Sequence, residues 1–206
     1  MYSPYSDIQG HWAEGAITRW SKYNVVAGFG TEFKPDGVLT RAQMATILSN
    51  LLGLTKESAE NPFKDVASDA WYKTYILRCY EAGIMSGDGV NANPESLVTR
   101  QEAMTMLCNA LGITPVKNPD LSAFADGGST AAWAAPYMAA MVKAGYVGGI
   151  GDGKLSPSGE MTRAASMAVL NNAVVQYINT EGEYTLTDQE GIILVASGGV
   201  ILTGKT

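Results

Sequence analysis

The sequence predicts a mainly α-helical protein made of three tandem helix–loop–helix units and a short β-rich C-terminal tail. Three observations predict this class. A Thr-Arg pair at the start of a predicted helix recurs three times, with its arginines 59 and 63 residues apart; a proline lies six residues before each of these arginines; and a tryptophan lies 29 or 30 residues before each. Self-similarity at a near-constant period is the signature of a repeat architecture. The arginines are Arg41, Arg100 and Arg163, the prolines Pro35, Pro94 and Pro157, and the tryptophans Trp12, Trp71 and Trp133.

Each unit is predicted to contain two helices joined by a glycine-rich loop. Apolar residues follow each tryptophan at helical spacing, as in Trp71, Tyr75 and Cys79, and predict the first helix. The second helix begins after the threonine and carries an apolar face such as Met44 and Leu48. The loops include Gly28, Gly87 and Gly149. Because glycine tolerates positive φ, such loops can turn tightly and present backbone N–H groups.

We place the units at residues 1–54, 61–113 and 122–178, and the tail at 179–206. A unit of this size can hardly bury its apolar face alone, so mutual packing of the three is expected. The tail alternates polar and apolar residues at 184–187 and has β-type runs at 192–195 and 200–202. It is predicted to be either the start of a further β-rich domain or a hairpin packed on the body.

Composition excludes several classes of function. The net charge is −6, and only 17% of the 206 residues are charged, which argues against a nucleic-acid partner because phosphates require a basic face. No apolar run approaches the roughly 18–20 residues of a membrane span. Two cysteines give no disulfide framework, and the single histidine cannot complete a catalytic triad or a metal site. We predict no enzyme activity, no metal and no cofactor.

The arginine of each Thr-Arg pair is not explained by helix capping. Thr40 with Gln43, and Thr99 with Glu102, fit the capping box, whereas the third copy has Ala165 at the corresponding position. An arginine at the first helical position faces the positive end of the helix dipole, which is unfavourable. Two compensations remain open. One is an ion pair, for example with the unit's own aspartate, and the other is an anion bound at the helix N-terminus.

The tryptophans and aspartates allow structural and functional interpretations. An aromatic residue at the start of an amphipathic helix is more often part of the core than a ligand platform, although a flat apolar face beside polar groups suits a sugar. An aspartate precedes each first helix, within an aromatic-x-Asp pattern that begins at Tyr5, Phe63 and Phe124. For Asp7, Asp65 and Asp126, a helix-capping or turn role is the simplest expectation.

These residues together resemble the S-layer homology (SLH) domain, which commonly occurs in threes. The resemblance covers about residues 5–178 and rests on the order aromatic-x-Asp, Trp, Gly-rich loop, Pro and Thr-Arg. It implies a pseudo-threefold body with a central helical bundle. It also implies that grooves between units bind a secondary cell-wall polysaccharide, often through a pyruvylated, acidic sugar.

The resemblance implies that the arginine meets the ketal carboxylate while the other repeated residues shape the sugar pocket. The candidate ligand-binding residues are Arg41, Arg100, Arg163, Trp12, Trp71, Trp133, Asp7, Asp65, Asp126, Gly28, Gly87 and Gly149. Unit one has Thr31 where the loop aspartate is expected, and unit three has Ala165 in place of the box glutamate. The three grooves are therefore expected to be unequal.

The resulting prediction is a secreted cell-surface protein whose export signal is not included in this sequence. The module would anchor its parent to the cell wall without covalent chemistry. Two alternatives remain: a structural or protein-interaction module of a surface layer, and a domain that binds peptidoglycan directly. A monomer is compatible with the sequence, which leaves the oligomeric state open.

Overall fold

The chain folds into six α-helices followed by four short strands in the part that the structure describes, residues 4–203. These data come from a computed structural model. Residues 1–3 of the predicted first unit and 204–206 of the predicted tail lie outside the described range. The helices are α1 Glu14–Lys22, α2 Arg41–Leu52, α3 Lys73–Glu81, α4 Arg100–Ala110, α5 Ala135–Lys143 and α6 Arg163–Ala173. A 3-10 turn at Gly127–Ser129 precedes α5. The mainly helical class and the β-rich tail are as predicted.

The predicted capping boxes define where the second helices begin. The hydroxyl oxygens of Thr40 and Thr99 accept the N–H of the third helical residue, and the side chains of Gln43 and Glu102 accept the threonine N–H in return. Thr162 accepts the N–H of Ala165 without reciprocation, because alanine has no acceptor side chain. Two units therefore have the complete box, and the third has half of it, as the sequence indicates.

The units pack in a cyclic order. The second helix of unit one, α2, packs on α3, and α4 packs on α5. The last helix, α6, returns to pack on α1, and α2 also contacts α4. A single cluster of buried apolar residues runs through all three units, so they share one core. This arrangement buries the apolar faces that a lone unit would leave exposed to water.

Backbone hydrogen bonds close a ring at the residues that precede the threonines. The N–H of Leu39 donates to the carbonyl of Met161, the N–H of Val98 to that of Leu39, and the N–H of Met161 to that of Val98, each at 2.9 Å. All three side chains are fully buried. The ring therefore ties the three units together at the point from which their second helices start.

The tail pairs its strands in parallel rather than as a hairpin. Strand β1, Val174–Ile178, follows α6 directly and pairs with β3, Ile192–Val195; β2, Gly182–Thr185, pairs with β4, Val200–Thr203. The hairpin prediction is wrong, because a hairpin pairs neighbouring strands in antiparallel fashion. Here β1 pairs with β3 and β2 with β4, both in parallel. Ile192, Leu194 and Ala196 of the predicted tail pack against the core of the body. Strand β1 itself falls within the predicted third unit, and its Tyr177 hydroxyl donates to the carbonyl of Leu51 at 2.7 Å.

Candidate functional site

A groove of about 990 Å³ is formed by residues of all three units. Unit one contributes Arg41 from the start of α2. Unit two contributes its glycine loop, including Gly87 and Asp88, and the side of α4. Unit three contributes Trp133 and Tyr137. Three predicted site residues, Arg41, Gly87 and Trp133, thus meet in one groove, while the other nine do not line it.

The tryptophans lie on the surface, contrary to the core placement that general tendency favours. Trp12 is 67% exposed, Trp71 58% and Trp133 54%. Each precedes its helix by two residues, since α1, α3 and α5 begin at Glu14, Lys73 and Ala135. The side chains therefore fall outside the buried helical face, which in α1 is formed by residues such as Ile17. Exposed indole rings provide flat apolar surface for a ligand.

Each Thr-Arg arginine docks onto the loop of another unit. The Nε of Arg41 donates to the carbonyl of Ala92 at 2.9 Å. The equivalent bonds are Arg100 to Leu155 at 3.0 Å and Arg163 to Phe33 at 2.9 Å. The order is again cyclic: unit one reaches unit two, unit two reaches unit three, and unit three reaches unit one. The arginine thus has an inter-unit structural role that capping arguments do not predict.

The second contact differs among the three arginines. Nη2 of Arg100 donates to the carbonyl of Gly148 at 3.3 Å, and Nη2 of Arg163 to that of Ala27 at 2.6 Å. Arg41 instead donates from Nη1 to a carboxylate oxygen of Glu102 at 2.9 Å. Among the described residues, this is the ion pair that these arginines form, so pairing with the unit's own aspartate is wrong.

Burial lowers the side-chain pKa of the two arginines that donate only to carbonyls. Arg100 is 8% exposed and Arg163 6% exposed. Burial lowers the pKa of Arg100, and the carboxylate of Asp126 opposes that effect. Burial likewise lowers the pKa of Arg163, opposed by Tyr5 and Asp7. The guanidinium of Arg163 also lies over the ring of Phe33, 4.3 Å from its centroid.

The three predicted aspartates brace the loops of their own units instead of capping helices. Asp7 accepts the N–H groups of Phe33 and Lys34, both at 2.7 Å. Asp65 accepts those of Ala92 and Asn93, and Asp126 those of Leu155 and Ser156, all at 2.7–2.8 Å. The capping role is wrong, since the N-caps of the first helices are Ala13, Tyr72 and Ala134. The contacts join each aspartate to a loop 26–30 residues further along the chain, and not to a turn at its own position.

In each loop, the second of the two residues bound by the aspartate has a left-handed backbone. Lys34, Asn93 and Ser156 have φ of 58°, 53° and 53°. A non-glycine residue in this region is strained by roughly 1–2 kcal/mol. Two charge-assisted hydrogen bonds from one carboxylate offset this strain. The aspartates are therefore part of the loop's architecture.

The predicted loop glycines are required by close packing. A Cβ on Gly87 would lie 2.7 Å from the ring of Phe63 and would also meet the carbonyl of Asn91. Gly28 is crowded in the same way by Tyr5, and Gly149 by the carbonyl of Lys154 at 2.8 Å. The aromatic ring of the aromatic-x-Asp pattern thus lies against the glycine of its own unit.

Sequence reasoning missed several polar residues of the groove. Glu102 was assigned only to its capping box, although it also faces Arg41. Asp88 lines the groove, and the backbone N–H groups of Asn91 and Val90, with the Asn93 side chain, lower the pKa of its carboxyl to about 2. The sequence did contain a signal for both residues, because unit two differs from units one and three at these two positions.

No group of three or more His, Cys, Asp or Glu residues is arranged to hold a metal ion within 4–203. In the same part of the chain, no helix is both long enough and apolar enough to cross a membrane.

Comparison with known families agrees with the repeat pattern of the sequence. The sequence profile of the S-layer homology domain matches residues 4–45, 62–104 and 123–165. This chain belongs to the S-layer homology domain family. The three matched SLH segments fall within the three predicted units, so the resemblance is confirmed.

Relatives of these SLH repeats include both enzymes and surface-layer proteins. The chain is 32% identical over 170 residues to an amylopullulanase of Thermoanaerobacterium thermosulfurigenes, a match spanning 81% of this chain and 9% of that protein. It is 33% identical over 177 residues to the surface-layer 125 kDa protein of Lysinibacillus sphaericus, spanning 82% and 14% respectively. It is 31% identical over 138 residues to the S-layer protein sap of Bacillus anthracis, spanning 66% and 16%. The chain thus spans less than a fifth of each of these relatives.

Proposed function

We propose that this SLH chain is a non-catalytic module that holds its parent protein on a bacterial cell wall without covalent bonds. The observation that carries the proposal is the groove between the units, lined by Arg41, Trp133 and the loop of unit two. Relatives named as surface-layer proteins support it, since their SLH segments resemble this chain in sequence. Similar segments also occur in relatives with other functions, such as the amylopullulanase, and this suits a shared anchoring module rather than a shared reaction.

The proposed ligand is the secondary cell-wall polysaccharide. An exposed indole ring can stack on the apolar face of a sugar, and Trp133 offers one at the edge of the groove. Amide and hydroxyl groups of Asn93, Asn109 and Thr105 line the same groove and can bond sugar hydroxyls. We propose further that acidic, pyruvylated sugars of the polymer bind near the Thr-Arg arginines, where a guanidinium can meet a carboxylate.

We also propose that the three units form a pseudo-threefold body with α2, α4 and α6 as its central bundle. The cyclic docking of the arginines and the backbone ring through Leu39, Val98 and Met161 support it. Such a body would carry three related grooves. Their sequences differ, so we expect unequal affinities.

Co-sedimentation with purified cell-wall sacculi tests the anchoring function. We expect the chain to pellet with intact sacculi and to stay in solution after chemical removal of the secondary polymer. Trp133→Ala should weaken pelleting more than Trp71→Ala, because Trp71 is equally exposed but lies outside the large groove. Undiminished pelleting with stripped sacculi would contradict this ligand and favour direct peptidoglycan binding.

One observation favours a second function, a structural or protein-interaction module of a surface layer. The arginines satisfy much of their hydrogen-bonding capacity within the protein. If this function is correct, the chain will not pellet with intact sacculi, and substitution of the arginines will lower the melting temperature only.

A further inference from the structure

The four strands form two stacked turns of a parallel coil, residues 174–203. Strand β1 pairs with β3 and β2 pairs with β4, both in parallel. Val174 lies opposite Ile192 and Gly182 opposite Val200, so the chain returns to the same place after 18 residues, before a bulge in β1 shifts the rest of that strand by one. Parallel pairing at a repeated return distance is the geometry of a β-solenoid. The first turn contains β1 and β2, and the second contains β3 and β4.

The SLH body covers the first turn of this coil. Strand β1 continues directly from α6, and its residues Val174, Tyr177 and Ile178 are buried. The ring of Tyr177 packs edge-on against that of Trp20, with 5.4 Å between the centroids, and its hydroxyl donates to the carbonyl of Leu51. The terminal repeat of a solenoid needs a cap, because its apolar face would otherwise meet water. The SLH body provides that cap for the first turn.

The second turn is open on its outer side. Within residues 4–203 each of the two sheets has two strands, so β3 and β4 have a strand partner on one side. The other side of such a strand presents unpaired backbone N–H and C=O groups that can template a further strand. Apolar side chains of this turn are also exposed: Val195 by 39%, Ile201 by 64% and Leu202 by 46%.

The second turn carries none of the sequence features that protect an edge strand. Proteins blunt their sheet edges with charged side chains, proline or a bulge. Residues 191–203 contain no charged residue and no proline, and the bulge lies in β1. The first turn, in contrast, carries four acidic residues, Glu181, Glu183, Asp188 and Glu190. The outer edge of β3 and β4 is therefore suited to pairing with another strand.

We propose that this edge binds a third parallel turn, supplied by the polypeptide of the parent protein. A third turn continues the two ladders that are already present, and a coil of this kind needs at least about three stacked repeats for stability. Its strands are uncharged and rich in β-branched residues, like Ile192–Val195 and Val200–Thr203. Pairing of two copies about a twofold axis would be antiparallel and would not continue the ladders.

The consequence for the parent protein is a rigid joint. The coil would carry the core of the SLH body into the next part of the parent, so no flexible linker would separate the anchor from its cargo. This inference does not depend on which wall polymer the SLH body binds.

Hydrogen–deuterium exchange of β3 and β4 tests the proposal. The probe is the chain with residues 189–206 repeated once after position 206, because an 18-residue addition places copies of β3 and β4 in register with the originals. We expect the fast-exchanging amides of β3 and β4 to exchange roughly tenfold more slowly in the extended chain, the scale of one added hydrogen bond. In the intact parent protein, the same amides should be slowed to a similar extent.

The matched control is the same extension with Ile193→Pro and Ile201→Pro made in the added copy alone. Proline has no backbone N–H and cannot sit within a central strand, so this control adds the same length without extending the ladders. The exchange of β3 and β4 should then equal that of the 206-residue chain. Slow exchange at the buried Leu48 of α2 verifies in each protein that the SLH body is folded.

Several results would overturn the inference. Equal exchange of β3 and β4 in the extended chain and in its proline control is one, and fast exchange of these strands in the intact parent is another. An extension that aggregates or unfolds the SLH body also counts against it, because a third turn on the outer edge leaves the contacts of the body in place. A dimer of the 206-residue chain that protects the same amides and persists in the extended chain would assign the edge to a second copy instead.

Discussion

Arg163 and Asp7 are joined through a single residue, Phe33. The carbonyl of Phe33 accepts from Nε of Arg163 at 2.9 Å, and its N–H donates to the Asp7 carboxylate at 2.7 Å. The same relation links Arg41 with Asp65 through Ala92, and Arg100 with Asp126 through Leu155. The repeated arginine and the repeated aspartate thus bind the same residue from two sides, although they belong to different units.

Replacing Arg163 by alanine should destabilise the domain by about 2–4 kcal/mol, because a buried hydrogen bond to the carbonyl of Phe33 and a partly buried one to the carbonyl of Ala27 would be lost. Arg163→Lys should recover little, since an ammonium group cannot donate in the same fork geometry. Urea unfolding followed by circular dichroism measures this change. The exposed Lys64→Ala is the control, and an unfolding midpoint for Arg163→Ala equal to it would contradict the structural role.

Acid should destabilise the protein through Asp126. The N–H of Leu155 lowers the pKa of this carboxyl most strongly; desolvation opposes it, and smaller contributions from the Ser156 N–H and the Lys154 charge help to keep the pKa below its usual value. Because the folded pKa lies below the unfolded value of about 3.9, this stability is present above about pH 4 and is lost as the pH falls through the folded pKa.

The measurement for Asp126 is the urea midpoint near neutral pH and near pH 3. Asp126→Asn should be less stable than wild type near neutrality but should lose less stability on acidification. The exposed Asp69→Asn should follow the wild-type pH dependence. Parallel acid losses in wild type and Asp126→Asn would show that this carboxylate does not contribute.

Alanine substitutions at Gly83 and Gly87 should separate the cost of backbone strain from the cost of steric crowding. Both have positive φ, 64° and 71°, but only Gly87 has atoms that a Cβ would strike. Alanine at either site should cost about 1 kcal/mol for the left-handed backbone. Gly87→Ala should cost a further roughly 1–3 kcal/mol from overpacking against Phe63 and Asn91. Equal melting temperatures for the two variants would contradict the crowding of Gly87.

High pH should destabilise the contact between strand β1 and helix α2. Burial raises the pKa of Tyr177 to about 12, with a further contribution from Tyr23. The stability that depends on the neutral phenol is therefore present below about pH 10 and lost as the pH rises through about 12. Tyr177→Phe should lose about 1 kcal/mol near neutrality by giving up the bond to Leu51 and should be less sensitive to alkali.

The control for Tyr177 is Tyr75→Phe, a half-buried tyrosine whose hydroxyl has no hydrogen-bond partner among residues 4–203. Its alkaline unfolding should match the wild type. The prediction for Tyr177 is contradicted if Tyr177→Phe and wild type unfold over the same alkaline interval.

Much of the helical framework could be predicted from the sequence, since threonine caps and apolar spacing act locally. The same local rules placed Asp7 as a helix or turn residue near its own position, whereas its partners are 26 and 27 residues further along the chain. The partners of Arg163 are more distant still, in unit one. Such contacts depend on how the units dock, which spacing within one unit does not encode.

The tail and the groove illustrate two other limits of sequence reasoning. Alternating residues predict strands but not their partners, so the parallel pairing of β1 with β3 could not be distinguished from a hairpin. The role of Glu102 was concealed because one side chain serves two purposes, completing a capping box and pairing with Arg41. The capping box was sufficient to explain the residue from sequence alone.

The backbone ring through Leu39, Val98 and Met161 limits how this domain can grow or shrink. An open repeat array can gain or lose a terminal repeat while its neighbours stay folded, because each repeat contacts only those beside it. Here the third unit supplies the partner for the first, so removal of any unit leaves unpaired backbone at the buried centre. We therefore expect the three units to unfold together, and the loss of any one of them to destabilise the other two.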